Sequence, residues 1–154
     1  MKKTAFILVF FLGVNFAFAQ TTWQWKQHNL KFSLPSGFKV KSNTANQFQA
    51  KGVGVEFDIF VWQDHKVTAN NMKDALVLLA DTYIDNISHY GEHDLDDFEG
   101  AYVIGDYKGK KTIFFGFIDK RGGTNFFAEV IFDEDDDDAL EDAFHIVDSI
   151  DRID

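Results

Sequence analysis

The sequence predicts an α+β fold in which an antiparallel β-sheet lies between helices on both faces, an α/β/α sandwich. Two observations lead to this prediction. Three consecutive apolar strands occupy the stretch from residue 101 to residue 132, and one amphipathic helical pattern precedes them while another follows. The middle strand carries apolar side chains on both of its sides, so each face of the sheet needs a cover.

The three central strands are rich in the β-branched and aromatic residues that suit a pleated, buried surface. They are predicted at Ala101–Tyr107, Lys111–Asp119 and Asn125–Phe132, joined by turns at 108–110 and 120–123. In the middle strand, Ile113, Phe115 and Phe117 point to one face while Phe114 and Ile118 point to the other. We therefore expect Phe114 and Phe115 to be buried on opposite faces of the sheet.

The first half of the chain predicts further strands, because polar and apolar residues alternate there with a period of two. Alternation begins at Trp23 to Trp25 and is clearer from Leu30 to Leu34, and the next three residues, Pro-Ser-Gly, predict a bend. Ser42 to Asn46 is polar enough for a loop, and a short strand is expected around Phe48. The longest strand of this half is expected to place five apolar side chains on one face: Val53, Val55, Phe57, Ile59 and Val61.

Two segments show the three- and four-residue spacing of amphipathic helices. The first has the apolar stripe Met72, Ala75, Leu76, Leu79, Ala80, Tyr83, Ile84 and Ile87, with Thr68 or Asn70 as cap and Gly91 beyond its end. The second has the stripe Leu140, Ala143, Phe144, Val147 and Ile150, with Asp138 and Glu141 spaced as a capping box. We expect Leu79 and Tyr83 to cover one face of the sheet, and Phe144 and Val147 the other. The acidic stretch from Ile87 to Gly100 predicts an irregular connection with room for a short strand.

The first nineteen residues have the composition of a cleavable secretory signal. Lys2 and Lys3 precede an apolar run from Ala5 to Phe18, and Ala17-Phe18-Ala19 supplies the small-x-small cleavage pattern before Gln20. The alternative is an uncleaved anchor, but the run is shorter than the roughly 20 residues needed to span a membrane. The expected organisation is a signal in residues 1–19 and one domain in residues 20–154, exported to the periplasm or the extracellular space of a bacterium.

The charge of the chain argues against some classes of partner. Residues 1–19 contain two lysines and no acid, so their removal changes the formal net charge from −10 to −12. Such a field repels phosphate backbones and anionic lipid surfaces, so we expect neither a nucleic-acid partner nor binding to a membrane surface. No membrane insertion is expected after cleavage. The absence of cysteine excludes disulfides and a lipid anchor on a cysteine at the cleavage site.

The order of elements, together with two short segments, resembles the PsbP-like fold. The turn Leu34-Pro35-Ser36-Gly37-Phe38 resembles the Leu-Pro-x-Gly-aromatic turn near the start of these domains, and residues 143–150 resemble their closing helix. The resemblance spans nearly all of residues 20–154. It implies the α/β/α fold shared by an extrinsic photosystem II subunit, a Ran-binding import factor and exported bacterial proteins. Because these proteins use the fold chiefly for binding, it also implies a binding module, and it brings no catalytic motif.

One motif points to metal chemistry. His89-Tyr90-Gly91-Glu92-His93 matches the H-x-x-E-H pattern of inverted zinc peptidases, in which both histidines share one helical face. Here Gly91 interrupts the motif and the apolar helical stripe has already ended, so an ordinary polar loop is the preferred interpretation. A weaker metal site would combine His89 and His93 with one of the nearby carboxylates Asp94, Asp96 and Asp97.

Other charged and polar clusters carry weaker signals. The acidic run Asp133 to Asp138 attracts hard cations in principle, but it fails the EF-hand template at its glycine and its final glutamate, so a solvated turn is expected. Lysines near residues 108–111 and the pair Lys120 and Arg121 belong to successive turns, which lie at opposite ends of the sheet and form no joint anion site. Without cysteine or a Gly-x-Ser-x-Gly motif, no nucleophilic triad and no cofactor is predicted.

The leading hypothesis is therefore an exported, non-enzymatic binding module for a protein or an envelope component. The alternatives are a metal-dependent hydrolase built on His89, Glu92 and His93, and a carrier of a small apolar ligand. A contiguous patch of exposed aromatic residues would favour the first. Trp23, Trp25 and Trp62 are candidates for it, although packing in the core or at a sheet edge is the default for such large apolar residues. Converging histidines and carboxylates would favour the hydrolase, and a deep apolar cavity the carrier.

Overall fold

The computed structural model describes residues 20–135 and 137–154, so the expected signal segment lies outside the described residues. The described residues form ten strands and two α-helices, with single 3-10 turns at Lys26–His28 and Ala69–Asn71. The helices are α1 (Met72–Tyr83) and α2 (Asp137–Asp148). The strands are β1 (Gln20–Trp25), β2 (Leu30–Pro35), β3 (Lys39–Asn43), β4 (Gln47–Lys51), β5 (Val55–Val61), β6 (Asn86–Glu92), β7 (Phe98–Tyr107), β8 (Lys110–Asp119), β9 (Asn125–Phe132) and β10 (Asp151–Arg152).

The strands form two antiparallel sheets. The large sheet has seven strands in the order β3-β4-β5-β9-β8-β7-β6, and the small sheet has the order β1-β2-β10. The predicted meander is confirmed as β7, β8 and β9, and in its register Phe115 lies opposite Tyr102 on one side and Ala128 on the other. The α+β fold class is confirmed, with a second sheet added to the predicted arrangement.

The two faces of the large sheet have separate hydrophobic cores. On the side that we call the α1 face, Phe114 packs with Leu76 and Ala80 of α1. On the opposite side, the α2 face, Phe115 packs in a larger cluster that also contains Val147 of α2. Phe114 is 3% exposed and Phe115 is fully buried, which confirms the predicted two-sided burial.

Helix α1 forms because its apolar residues recur at helical spacing and its start is capped. Thr68 and Asn71 make reciprocal side-chain to backbone hydrogen bonds that satisfy N–H groups at the start of the segment. The helix ends at Tyr83, well before Gly91, and its most deeply buried residues are Met72, Leu76 and Ala80. The prediction for Tyr83 is wrong, because this side chain is 57% exposed at the edge of the helix footprint.

Helix α2 shares its face of the sheet with the small sheet, whose Trp25, Phe32 and Leu34 belong to the same core cluster. It contacts β2 as well as β9. Because α2 packs against both sheets, the side of the helix that is buried differs from the predicted one. Ile146 is buried, whereas Leu140, which was predicted to be buried, is 41% exposed. Val147 is buried as predicted.

Three local predictions are wrong. Val53 is 98% exposed because it lies in the turn before β5, where Gly54 has φ of 72°. Ser42 belongs to β3, whose pairing with β4 shifts register next to it, so the loop is shorter than expected. The connection after α1 contains the seven-residue strand β6, longer than the short strand that was expected, because β6 pairs with the edge of β7; residues 84–85 and 93–97 are irregular.

Candidate functional site

The H-x-x-E-H residues lie in and just after strand β6, where they are separated by the sheet. His93 contacts Asp148 of α2 and the ring of Phe115, which places it on the α2 face. Glu92 instead accepts a hydrogen bond from Lys73 of α1, at 3.1 Å, on the opposite face. Because side chains alternate along a strand, His89 shares the face of His93 and not that of Glu92. The sheet therefore prevents the geometry that a zinc peptidase needs.

The other acidic candidates are held in ion pairs and turns. Asp133 pairs with Lys110 at 3.2 Å, and Glu134 pairs with Lys111 at 3.3 Å, so part of the acidic run neutralises the lysines at one end of the meander. At the opposite end, Arg121 pairs with Asp97 at 3.3 Å. Among the side chains described, in residues 20–135 and 138–154, no three histidines or carboxylates converge as ligands for a metal ion.

An open groove lies on the α1 face, between α1 and the exposed surface of β5 and β9. We call it the aromatic groove, and its volume is about 390 Å³. Its walls are predominantly apolar, with one carboxylate. The lining residues are Phe60, Val61, Trp62, Leu79, Tyr83, Tyr107, Phe114, Phe127 and Glu129.

The groove exists because one helix is too narrow to cover this sheet. Strands lie about 4.8 Å apart, so a sheet of seven strands is roughly 30 Å wide, whereas a helix with its side chains is about 10 Å across. The main sheet contacts of α1 are with β6, β7 and β8. The apolar side chains of β5 and β9 beside the helix, among them Phe60 and Phe127, therefore remain half-buried.

The aromatic rings of the groove contact one another. Phe127 lies at the centre, with ring-centroid distances of 5.0 Å to Phe114, 6.1 Å to Trp62 and 6.3 Å to Phe60. The rings of Phe114 and Trp62 meet Phe127 edge to face, and that of Phe60 is stacked on it. Such packing fixes the orientation of the rings, so the wall of the groove is formed before any ligand arrives.

Asn125 and Gly116 determine where Trp62 lies in this wall. The backbone N–H of Trp62 donates to the carbonyl oxygen of Asn125 at 2.9 Å. The side-chain amide of Asn125 in turn donates to the carbonyl oxygens of Asp64 and Val67, which anchors the segment that follows Trp62. Gly116 of β8 leaves the space that this arrangement needs, since a Cβ there would lie 3.1 Å from the Trp62 ring and 2.8 Å from Met72 Sδ.

Glu129 supplies the carboxylate at the apolar floor of the groove. It lies directly opposite Phe114 of β8 and Asp58 of β5 in the large sheet. Burial, and then the charges of Asp58 and Glu56, raise the pKa of Glu129 to about 7, while Lys108 lowers it slightly. Burial also raises the pKa of Asp58. The groove thus combines aromatic walls with a carboxylate whose ionisation is disfavoured by its surroundings in the protein.

The sequence predicts the strand that leads to Phe60 and Trp62 and offers Trp62 as a candidate contact residue, but it does not predict the groove. Glu129 was missed, although a lone acid between Ala128 and Val130 in a buried strand is a usable signal. Its neighbour Asp58 comes from a distant part of the chain, and only the pairing of β5 with β9 brings the two acids together. Trp25 is fully buried in the α2-face core and takes no part in the groove.

No helix in the described part of the chain is both long and apolar enough to span a membrane. No protein-family model and no curated protein matches this sequence. The structure is similar to that of the Ran-binding protein Mog1p of Saccharomyces cerevisiae, with a TM-score of 0.57 and 6% sequence identity over 90% of this chain and 97% of that chain. A crystal structure from Bacteroides thetaiotaomicron has a TM-score of 0.49 and 11% identity over 82% of this chain and 46% of that chain. At these identities the similarity establishes the fold alone, and this chain has the PsbP-like fold of Mog1p.

Proposed function

We propose that this protein is an exported, non-enzymatic binding module that holds its partner, another protein or an envelope component, in the aromatic groove. The observation that carries the proposal is the contiguous set of rings left half-exposed beside α1. Phe60, Trp62 and Phe127 form a fixed wall, and Tyr83 at the rim is 57% exposed. Large aromatic side chains of this kind dominate the energetics of protein interfaces.

Two further observations support binding over catalysis. Mog1p, which has the same fold, is described as a Ran-binding protein. In the present chain His89 and His93 lie on the opposite face of the sheet from Glu92, so the hydrolase alternative lacks its assembled site. The groove opens to solvent at Tyr83, which favours a protein surface over an enclosed apolar ligand as its occupant.

A capture experiment with matched tyrosine variants tests the groove. Residues 20–154 are immobilised and exposed to an envelope extract from the organism that makes the protein. Tyr83→Ala removes the exposed rim of the groove, whereas Tyr90→Ala removes a tyrosine that is 58% exposed on β6 outside the groove. We expect a partner to be retained by the unmodified protein and by Tyr90→Ala, and to be lost with Tyr83→Ala. Equal retention by all three proteins would contradict the proposal.

Export has a separate test, because it depends on residues 1–19. Lys2, Lys3 and the apolar run before Ala19 support cleavage after Ala19. The intact mass of the protein recovered outside the cytoplasm should correspond to a chain that begins at Gln20. Recovery of the full-length chain, or of the protein in the cytoplasm only, would contradict export.

A further inference from the structure

The chemistry of the aromatic groove indicates what kind of partner side chain it accepts. Aromatic faces attract cations, and they also pack against the aliphatic stems of long basic side chains. Glu129 adds an acceptor in the same groove, and among the described residues it has no hydrogen-bond or ion-pair partner. Asp58, directly opposite it in β5, adds a second negative charge on the same face.

We propose that the aromatic groove accepts an arginine or lysine side chain of a basic partner protein, with its stem against the rings and its cationic head at Glu129. This inference rests on the proposed binding function and names the chemistry of the partner. The charge of the whole chain, −10 before any cleavage, favours the approach of a basic surface.

A contact between a lysine and an aromatic ring already exists within the protein, at the rim of the groove. Lys108 Nζ lies 4.8 Å from the centroid of the Tyr107 ring, and Tyr107 lines the groove. Lys108 is exposed and makes no ion pair with Glu129, so the carboxylate remains available to a second cation. A metal ion is a poorer occupant, since hard cations take six or more oxygen ligands and no such group converges among the described residues.

The electrostatics of the groove agree with this assignment. Burial and the neighbouring acids Asp58 and Glu56 disfavour the ionised form of Glu129, and only Lys108 opposes them. A cation placed against Glu129 would reverse this balance by compensating the buried charge. The groove therefore gains more from a cationic occupant than from a neutral one of the same shape.

The experiment compares two peptides of nearly the same shape, of which only one is positively charged. The probe is acetyl-Leu-Arg-Leu-Arg-Leu-amide, and its control carries the neutral, nearly isosteric residue citrulline in place of each arginine. Binding to residues 20–154 is measured by calorimetry at a pH above the titration range of Glu129. We expect the citrulline peptide to bind at least about tenfold more weakly, as for a charge-assisted hydrogen bond removed from a partly buried site.

A pair of glutamate variants locates the charge preference. Glu129→Gln keeps the size of the side chain and should remove the preference for the arginine peptide. Glu99→Gln removes the same charge from a half-buried position on the same face of the sheet, outside the groove, and should retain the preference. Thermal unfolding confirms that both variants are folded.

Three outcomes would overturn the inference: equal affinity for the two peptides, no binding of either peptide, and an unchanged preference in Glu129→Gln. None of them would affect the capture test, in which the native partner and Tyr83→Ala decide whether the groove binds at all. Conversely, if Tyr83→Ala still retained the native partner while the peptide preference depended on Glu129, the native partner would not bind in the groove, but the preference of the groove for a cation would stand.

Discussion

His93 Nε2 lies 2.6 Å from Asp148 Oδ1, and this contact joins the end of strand β6 to helix α2. The imidazole also lies edge-on to the ring of Phe115, at a centroid distance of 5.7 Å. His93, the last residue of the H-x-x-E-H motif, is thus held in place by contacts within the protein.

We therefore expect zinc to leave the folding stability of the protein unchanged. A site that binds only the native state would stabilise it by about 2.7 kcal/mol at a hundredfold excess of metal over the dissociation constant. Thermal unfolding of residues 20–154 is measured with zinc and then with a chelator, and repeated on the double variant His89→Ala plus His93→Ala. A zinc-dependent rise in the melting temperature that disappears in the double variant would restore the hydrolase hypothesis.

The two central phenylalanines give the clearest stability prediction. Phe114 and Phe115 are adjacent in β8 and support separate cores, on the α1 face and the α2 face. Each change to Ala should lower the free energy of unfolding by about 3 to 5 kcal/mol, because it leaves a cavity in a packed cluster. Denaturant unfolding measures both losses. If either variant unfolded at the same midpoint as the unmodified protein, the corresponding core would not be closed.

Glu129 should make the protein less stable as the pH rises. Its pKa is raised from 4.5 to about 7 in the folded state, so the folded protein holds this proton more tightly than the unfolded chain does. The free energy of unfolding that protonated Glu129 contributes is fully present below pH 4.5 and is lost as the pH rises through about 7. The groups that face this carboxylate are Asp58 and Glu56 on β5 and Lys108 in the turn after β7.

Glu129→Gln isolates this contribution. At pH 8 the variant should be more stable than the unmodified protein by about 2 kcal/mol, after allowance for the partial exposure of the group, and the difference should shrink toward pH 4.5. Glu99→Gln removes one negative charge elsewhere and should not produce this dependence. Parallel pH profiles for the unmodified protein and Glu129→Gln would contradict the prediction.

Gly116 is predicted to be the position in β8 least tolerant of a larger side chain. Changing it to Val forces atoms against Met72 and Trp62, and overpacking of this kind costs about 1 to 3 kcal/mol. Gly122→Ala is the control, because its Cβ would meet Asp119 Oδ2 at an ordinary distance of 3.4 Å. Chemical denaturation should separate the two variants clearly. Similar stabilities would mean that α1 can move away from the sheet without loss.

Asn125 is predicted to anchor the segment between β5 and α1. Its side chain is 8% exposed and donates to the carbonyl oxygens of Asp64 and Val67 at 3.1 and 2.9 Å. Asn125→Ala leaves both acceptors without this donor and should cost about 1 to 3 kcal/mol. Amide hydrogen exchange should become faster across residues 62–68, next to Trp62. The exposed Asn86, changed to Ala, provides the comparison, and equal exchange in the two variants would contradict the assignment.

The sequence by itself determined the local elements and which of their side chains face a core. Phe114 and Phe115 alternate within one strand, and Met72, Leu76 and Ala80 recur at helical spacing, because each period reports the geometry of its own backbone. These signals were enough for the meander, both helices and the fold class. The periodicity of α1 was less reliable at the end of the helix. Tyr83 has the spacing of a buried residue but lies at the edge of the contact between α1 and the sheet.

Only the tertiary structure decided which apolar surfaces stay open. The width of the seven-stranded sheet, and the position of α1 over β6, β7 and β8, leave Phe60 and Phe127 half-buried in a groove instead of a core. The pairing of β5 with β9 then places Asp58 opposite Glu129. Which strands a helix covers, and which strands pair with each other, depends on contacts between distant parts of the chain. The periodicity of the sequence indicates only which residues are buried relative to their neighbours in the chain. The groove and its acid therefore appear only when the whole chain is folded.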